Sequence, residues 1–173
     1  MQWAEAFESA ALSAAATVER VPRASEAIAA AVARLAPPRA PIAIAEPFVL
    51  APELLEGCRR LPGVFAGRSK KDMDACMIGV TDAFAGVARS GSICVCVDHD
   101  HAGTVSLLSR THVAILPAEN IVERPADLFR ADRLGGKGLR HNFVFITGPS
   151  ATADMGPLVR GVHGPHKLHI LVI

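Results

Sequence analysis

Residues 77–117, MIGVTDAFAGVARSGSICVCVDHDHAGTVSLLSRTHVAILP, decide the class of this domain. Residues 77–80, 93–97 and 112–116 are short apolar runs, several of their members β-branched. Apolar side chains at consecutive rather than alternate positions mark strands buried on both faces. Between them, residues 81–88 read as a short helix capped by Thr81, and residues 106–110 as a helical turn. Pro117 closes the third strand. Strands alternating with short helices predict a layered α/β domain, whose ligands gather where loops converge at strand ends.

Working outward, residues 41–45, 142–147 and 168–173 complete the strand set. Residues 51–60 and 125–131 read as helical, residues 62–76 as loop, and residues 132–140 as a glycine-rich connection. Residues 1–20 form an alanine-rich helix carrying Trp3, Phe7, Leu12 and Val18, interrupted by Pro22. Ser25 is positioned to cap a second helix with Ile28, Val32 and Leu35 on one face, and Pro37-Pro38 stops it. The expected organisation is an N-terminal helical segment, residues 1–40, packing on an α/β domain, residues 41–173. That segment either flanks the sheet or offers Trp3 and Phe7 to a partner.

The chain has 173 residues, enough for one domain with a real core, and half are hydrophobic with no tyrosine. A formal charge of +1, without a basic block interleaved with aromatics, argues against nucleic acid. Glu5 and Glu8 stand where a secretory leader would be positive, and no uncharged run reaches the roughly 18 residues of a membrane span. The expectation is a cytoplasmic protein. Cys58, Cys76, Cys94 and Cys96 lack paired metal-binding spacing and read as small core residues of a reducing compartment.

Three glycine loops carry the chemistry. They are Ser90-Gly91-Ser92, Thr147-Gly148-Pro149-Ser150 and Gly161-Val162-His163-Gly164-Pro165. Glycine lets amides turn inward and a ligand approach the main chain closely. Ser150 or Thr152 could cap a helix beginning near Asp154, whose N-terminus would favour an anion. A histidine between glycines, His163, can donate to a carboxylate or move a proton. Against each stands an ordinary turn. Asp98-His99-Asp100-His101, if extended, would put both carboxylates on one side and both imidazoles on the other, but no further ligands at fixed spacing support a metal. No cofactor or metal is expected.

Together the segments TDAFAGVARSGS, ITGPSATADM and VRGVHGPHKLHILVI resemble the lactate-utilisation (LUD) domain family, of the lactate-utilisation protein C (LutC/YkgG) type, over roughly residues 77–173. The resemblance implies a three-layer α/β/α sandwich similar to sugar-phosphate isomerases and coenzyme A transferases. It also implies a role in oxidation of L-lactate to pyruvate alongside iron–sulfur partner proteins. Many relatives carry a basic residue where this chain has Ala151, and an acidic one where it has Arg89.

On that basis a small organic acid or related anion is expected in a pocket lined by Thr81, Ser90, Gly91, Ser92, Gly148, Ser150 and Gly164. His163 is the candidate proton carrier and Asp154 its orienting partner or a helix cap. Redox work would fall to the partners, because the chain has no dinucleotide fingerprint or cluster motif. The alternative is a non-catalytic assembly subunit, with a homo-oligomer also open. Acyl or coenzyme A transfer ranks lower, since Asp82 and Asp154 alone lie near the loops as acids.

Overall fold

The computed structural model describes residues 2–66, 69–130, 141–154 and 156–173. Its centre is a parallel sheet of five strands. In chain order these are β1 (Thr17–Arg20), β2 (Ile42–Ile44), β3 (Ile78–Asp82), β6 (Thr111–Leu116) and β11 (Lys167–Val172), arranged β1-β11-β6-β3-β2. In register, Leu168 of β11 and Gly79 of β3 flank His112 of β6. A second sheet, in order β7-β4-β5-β8, holds β4 (Ala85–Val87), β5 (Ser92–Cys96), β7 (Ile121–Val122) and β8 (Phe143–Ile146). A small hairpin pairs β9 (Ala151–Thr152) with β10 (Val159–Arg160).

Alternation along the parallel strands sorts side chains into two cores. Ile42, Ile44, Ile78, Val80, Val113, Ile115 and Leu171 pack with Ile28, Ala31 and Val32 of α2 (Ser25–Leu35), and with Cys58 of the short α3 (Glu56–Arg59). The opposite residues, including Ala43, Ala114, Leu116, Leu168 and Ile170, meet α1 (Ala4–Ser13), Met73 of α4 (Lys70–Asp74), Val105 of α5 (Ala102–Leu108) and the inner face of the second sheet. Each fully buried aliphatic side chain contributes about 1.5–3 kcal/mol of transfer free energy. The molecule is a mixed α/β fold with a central parallel sheet, and the α/β class is the one expected from residues 77–117.

Several local expectations are corrected. Residues 17–20 leave the helix and form β1, the parallel edge strand. Ala15 adopts a left-handed conformation (φ 64°), and the Ala15 and Ala16 amides donate back to Leu12 and Ala11 carbonyls. That is the hydrogen-bond pattern glycine usually closes, here without a glycine to announce it. Ser25 lies inside α2 behind Ala24, and its hydroxyl accepts the Gly57 N–H at 2.7 Å. Residues 70–74, read as loop, form α4, capped by the Ser69 and Asp72 side chains.

Residues 81–88 are not a helix: β3 runs on to Asp82, and β4 follows as a strand. Gly86 lies so close beneath Leu116 and Phe7 that a Cβ would come within 2.7 Å of Leu116 Cδ2. The Ser90-Gly91-Ser92 loop therefore joins two antiparallel strands rather than a helix and a strand. Among the described residues no helix starts near Asp154; the β9–β10 hairpin occupies that segment. The glycine-rich connection expected at 132–140 lies outside the described residues.

Candidate functional site

A cavity of about 720 Å³ opens between α5, β8 and the two glycine-proline loops. Its wall includes Thr104, Ser106 and Leu107 of α5, Val144–Ile146 of β8, residues 147–150 and 163–165, and His112 and Leu168 of the central sheet. Hydrogen bonds hold the two loops together. The Ser150 amide donates to the Pro165 carbonyl at 3.0 Å, and the Gly161 amide donates to the Ser150 carbonyl at 2.8 Å. Four of the expected site residues, Gly148, Ser150, His163 and Gly164, thus meet in one wall.

Two of the three glycines have a packing reason within the protein. Gly148 (φ 72°) approaches α1: a Cβ there would sit 2.0 Å from the Ala14 carbonyl oxygen. Gly91 (φ 65°) does the same against Ala11, where a Cβ would lie 2.1 Å from the amide nitrogen. Both close approaches are to protein backbone. Alanines 10, 11 and 14 supply the small helix surface that permits them.

Ser90, Gly91 and Ser92 lie outside the cavity wall. Ser90 Oγ is 2.7 Å from Ser92 Oγ, which is 2.6 Å from Thr147 Oγ1, so a hydroxyl chain ends at the cavity through Thr147. Asp154 is also outside the wall: its carboxylate accepts the Thr152 hydroxyl at 2.9 Å within the hairpin. His163 is exposed at the cavity edge. Arg89 and Ala151 do not line the cavity.

Thr81 is fully buried and reaches the cavity through His112, whose Nε2 lies 2.9 Å from Thr81 Oγ1. His112 has no exposed surface, and burial pushes its imidazole down to about 4, so the ring is neutral at pH 7. Its Nδ1 is buried without a hydrogen-bond partner. In the sequence, residue 112 opens an apolar strand. The available signal was a lone polar ring in a run buried on both faces, which must find a partner or remain unsatisfied.

The acidic-histidine segment is a turn, not an extended ladder, with Asp100 and His101 at positive φ. Asp100 accepts the Glu46 amide at 2.7 Å, and His99 packs edge-on against Phe48. Asp98 instead joins Cys96 and His141: its Oδ1 accepts from Cys96 Sγ at 3.3 Å and lies 3.2 Å from His141 Nδ1, while Oδ2 accepts the Asn142 amide at 3.0 Å. Those three residues could present ligand atoms within 4.8 Å of one another, a set not foreseen from spacing. Burial and then the nearby carboxylates push the Cys96 thiol up to about 12, and burial raises Cys94 to about 12 and Cys58 to about 11. None of these thiols is a thiolate at neutral pH. None of the four cysteines forms a disulfide.

Known proteins place this geometry in a family. The chain is 34% identical over 107 residues to lactate utilization protein C of Bacillus subtilis (strain 168), covering 60% of this chain and 45% of that protein. It is 38% identical over 97 residues to the protein of the same name from Anoxybacillus flavithermus (strain DSM 21510 / WK1), covering 56% and 43%. The match therefore spans less than half the length of these relatives. A crystal structure of a DUF162 family protein from Deinococcus radiodurans shares the fold, with a TM-score of 0.71 over 99% of this chain and 96% of that one, at 18% identity. Residues 66–173, which supply the cavity wall and three of the five central strands, match the LUD domain family model, and the chain belongs to the LUD domain family.

Proposed function

We propose that this protein is a lactate-utilisation component of the protein C type, supporting oxidation of L-lactate to pyruvate with iron–sulfur partner proteins. Its cavity holds a small carboxylate. The observation that carries this reading is the joining of two distant loops, residues 147–150 and 163–165, into one wall of a cavity of about 720 Å³. Relatives named for lactate utilisation support the substrate class. Among the described residues of the wall, the Thr104, Thr147 and Ser150 hydroxyls, the loop amides and the His163 ring are the groups that would hold the carboxylate. Oxidation to pyruvate releases two electrons and two protons; the iron–sulfur partners take the electrons, and both protons pass to solvent, one of them through the exposed His163 ring. The buried thiols fit a reducing, cytoplasmic setting. Among the described residues no helix is long and apolar enough to cross a membrane.

The cavity exceeds what a three-carbon acid fills, and its rim exposes Leu107, Leu108, Val144 and Phe145. Those apolar groups favour the second reading, an assembly subunit whose partner covers this face. Calorimetric titration of the folded protein with L-lactate, pyruvate and other small carboxylates separates the two. Saturable binding is expected, and silence toward all of them overturns the ligand site. In a complex reconstituted with its iron–sulfur partners, His163→Ala should reduce lactate oxidation while assembly stays intact.

A further inference from the structure

Resting on the carboxylate reading of the cavity, we propose that His112 is its recognition residue: Nδ1 bonds the α-oxygen of a 2-hydroxy or 2-keto acid, and Thr81 positions the ring. Three observations converge on this residue. His112 belongs to the cavity wall, yet shows no exposed surface of its own. One ring nitrogen is 2.9 Å from the Thr81 hydroxyl, which fixes the rotation of the ring. The other is buried with nothing to bond. A buried polar atom left unpaired costs free energy that a ligand oxygen would recover. In register, β6 is flanked at this position by Gly79 and Leu168; a Cβ on Gly79 would lie 2.5 Å from the Val105 carbonyl oxygen and 2.6 Å from Ser109 Oγ, so α5 fills that side and a ligand oxygen reaches the ring from the cavity side.

The hydroxyls and amides of the two loops take the carboxylate, and the ring, neutral at neutral pH, takes the α-oxygen. This division sets the ligand class. Both ends of a 2-hydroxy or 2-keto acid are recognised, whereas a plain carboxylic acid satisfies the loops alone. The tautomer sets the choice between hydroxyl and keto forms. If the Thr81 hydroxyl donates to Nε2, Nδ1 carries hydrogen and binds either form; if Thr81 accepts, Nδ1 is an acceptor and takes only the hydroxyl.

Binding of L-lactate, pyruvate and propionate to the full chain tests the assignment, since propionate keeps the carboxylate and lacks the α-oxygen. L-Lactate is expected to bind roughly 10- to 100-fold more tightly than propionate, the range of one hydrogen bond to a buried group. The ¹⁵N signal of His112 Nδ1 in histidine-labelled wild-type protein should shift with lactate and not with propionate, which needs no variant to fold. His112→Leu should collapse the lactate preference, and His112→Asn, which places an amide near the Nδ1 position, should restore part of it. Thr81→Val should alter the His112 nitrogen signals and lower the preference, with Thr81→Ser recovering both. Equal binding of lactate and propionate, with an unmoved Nδ1 signal, overturns the role of His112 and leaves the carboxylate site standing. No binding of any of the three overturns that site and this inference with it.

Discussion

Gly148 shows how one missing methyl group sets the geometry of the cavity wall. Its φ of 72° is one that side chains other than glycine disfavour, and a Cβ would meet the Ala14 carbonyl oxygen at 2.0 Å. Gly148→Ala should therefore cost about 2 kcal/mol or more, measured by urea unfolding. Ala15 presents the opposite case, an alanine in the left-handed position that ends α1. Ala15→Gly should stabilise by about 1 kcal/mol in the same assay. A Gly148→Ala variant as stable as wild type would show that the loop and α1 separate without cost. The glycines at 91 and 148 were legible in sequence as places of close approach. What they approach was not, because the partner surface on α1 is more than seventy residues away in the chain.

At the scale of elements, buried runs revealed themselves and pairings did not. Residues 93–97 have the sequence of a strand apolar on both faces, and β5 is buried at every position. It nonetheless lies antiparallel between β4 and β8 in a separate sheet, since apolarity records burial and not the direction of the neighbour. The N-terminal segment makes the same point. Its sequence predicts helices alone, and residues 1–40 supply α1 and α2 but also β1, paired in parallel with β11 from Thr17 to Arg20. Phe7, Ala11, Ile28, Ala31 and Val32 have no exposed surface. Deleting residues 1–40 should therefore abolish the cooperative thermal transition followed by circular dichroism. A soluble fragment 41–173 with a sharp melt would make the segment an appendage. Phe7→Ala alone should cost about 3–5 kcal/mol, as expected for a fully buried ring.

The whole molecule should register its buried histidines as a pH dependence. Burial holds His112 near 4 against an ordinary 6.5, and burial also lowers His169 despite Glu19 nearby. Both rings fold in the neutral form, so the unfolded chain binds protons first as pH falls. Stability from His112 is fully present above about pH 6.5, declines between about 6.5 and 4, and then levels off. The total loss is roughly 3 kcal/mol for that residue. Urea titrations from about pH 7 to about pH 4.5 should show this decline in wild type and a shallower one in His112→Asn. Identical slopes would mean that the His112 ring is hydrated in the folded protein.

By itself the chain determined the α/β class, most strands and the two loops that wall the cavity, because burial periodicity and glycine-proline turns are written locally. Tertiary structure alone decided that those loops share a wall while Ser90, Ser92 and Asp154 do not, since loop contact depends on strand order. It also singled out His112. A histidine inside an apolar strand is ambiguous in sequence, and only the fold brings Thr81 to one nitrogen while leaving the other unpaired beside a cavity.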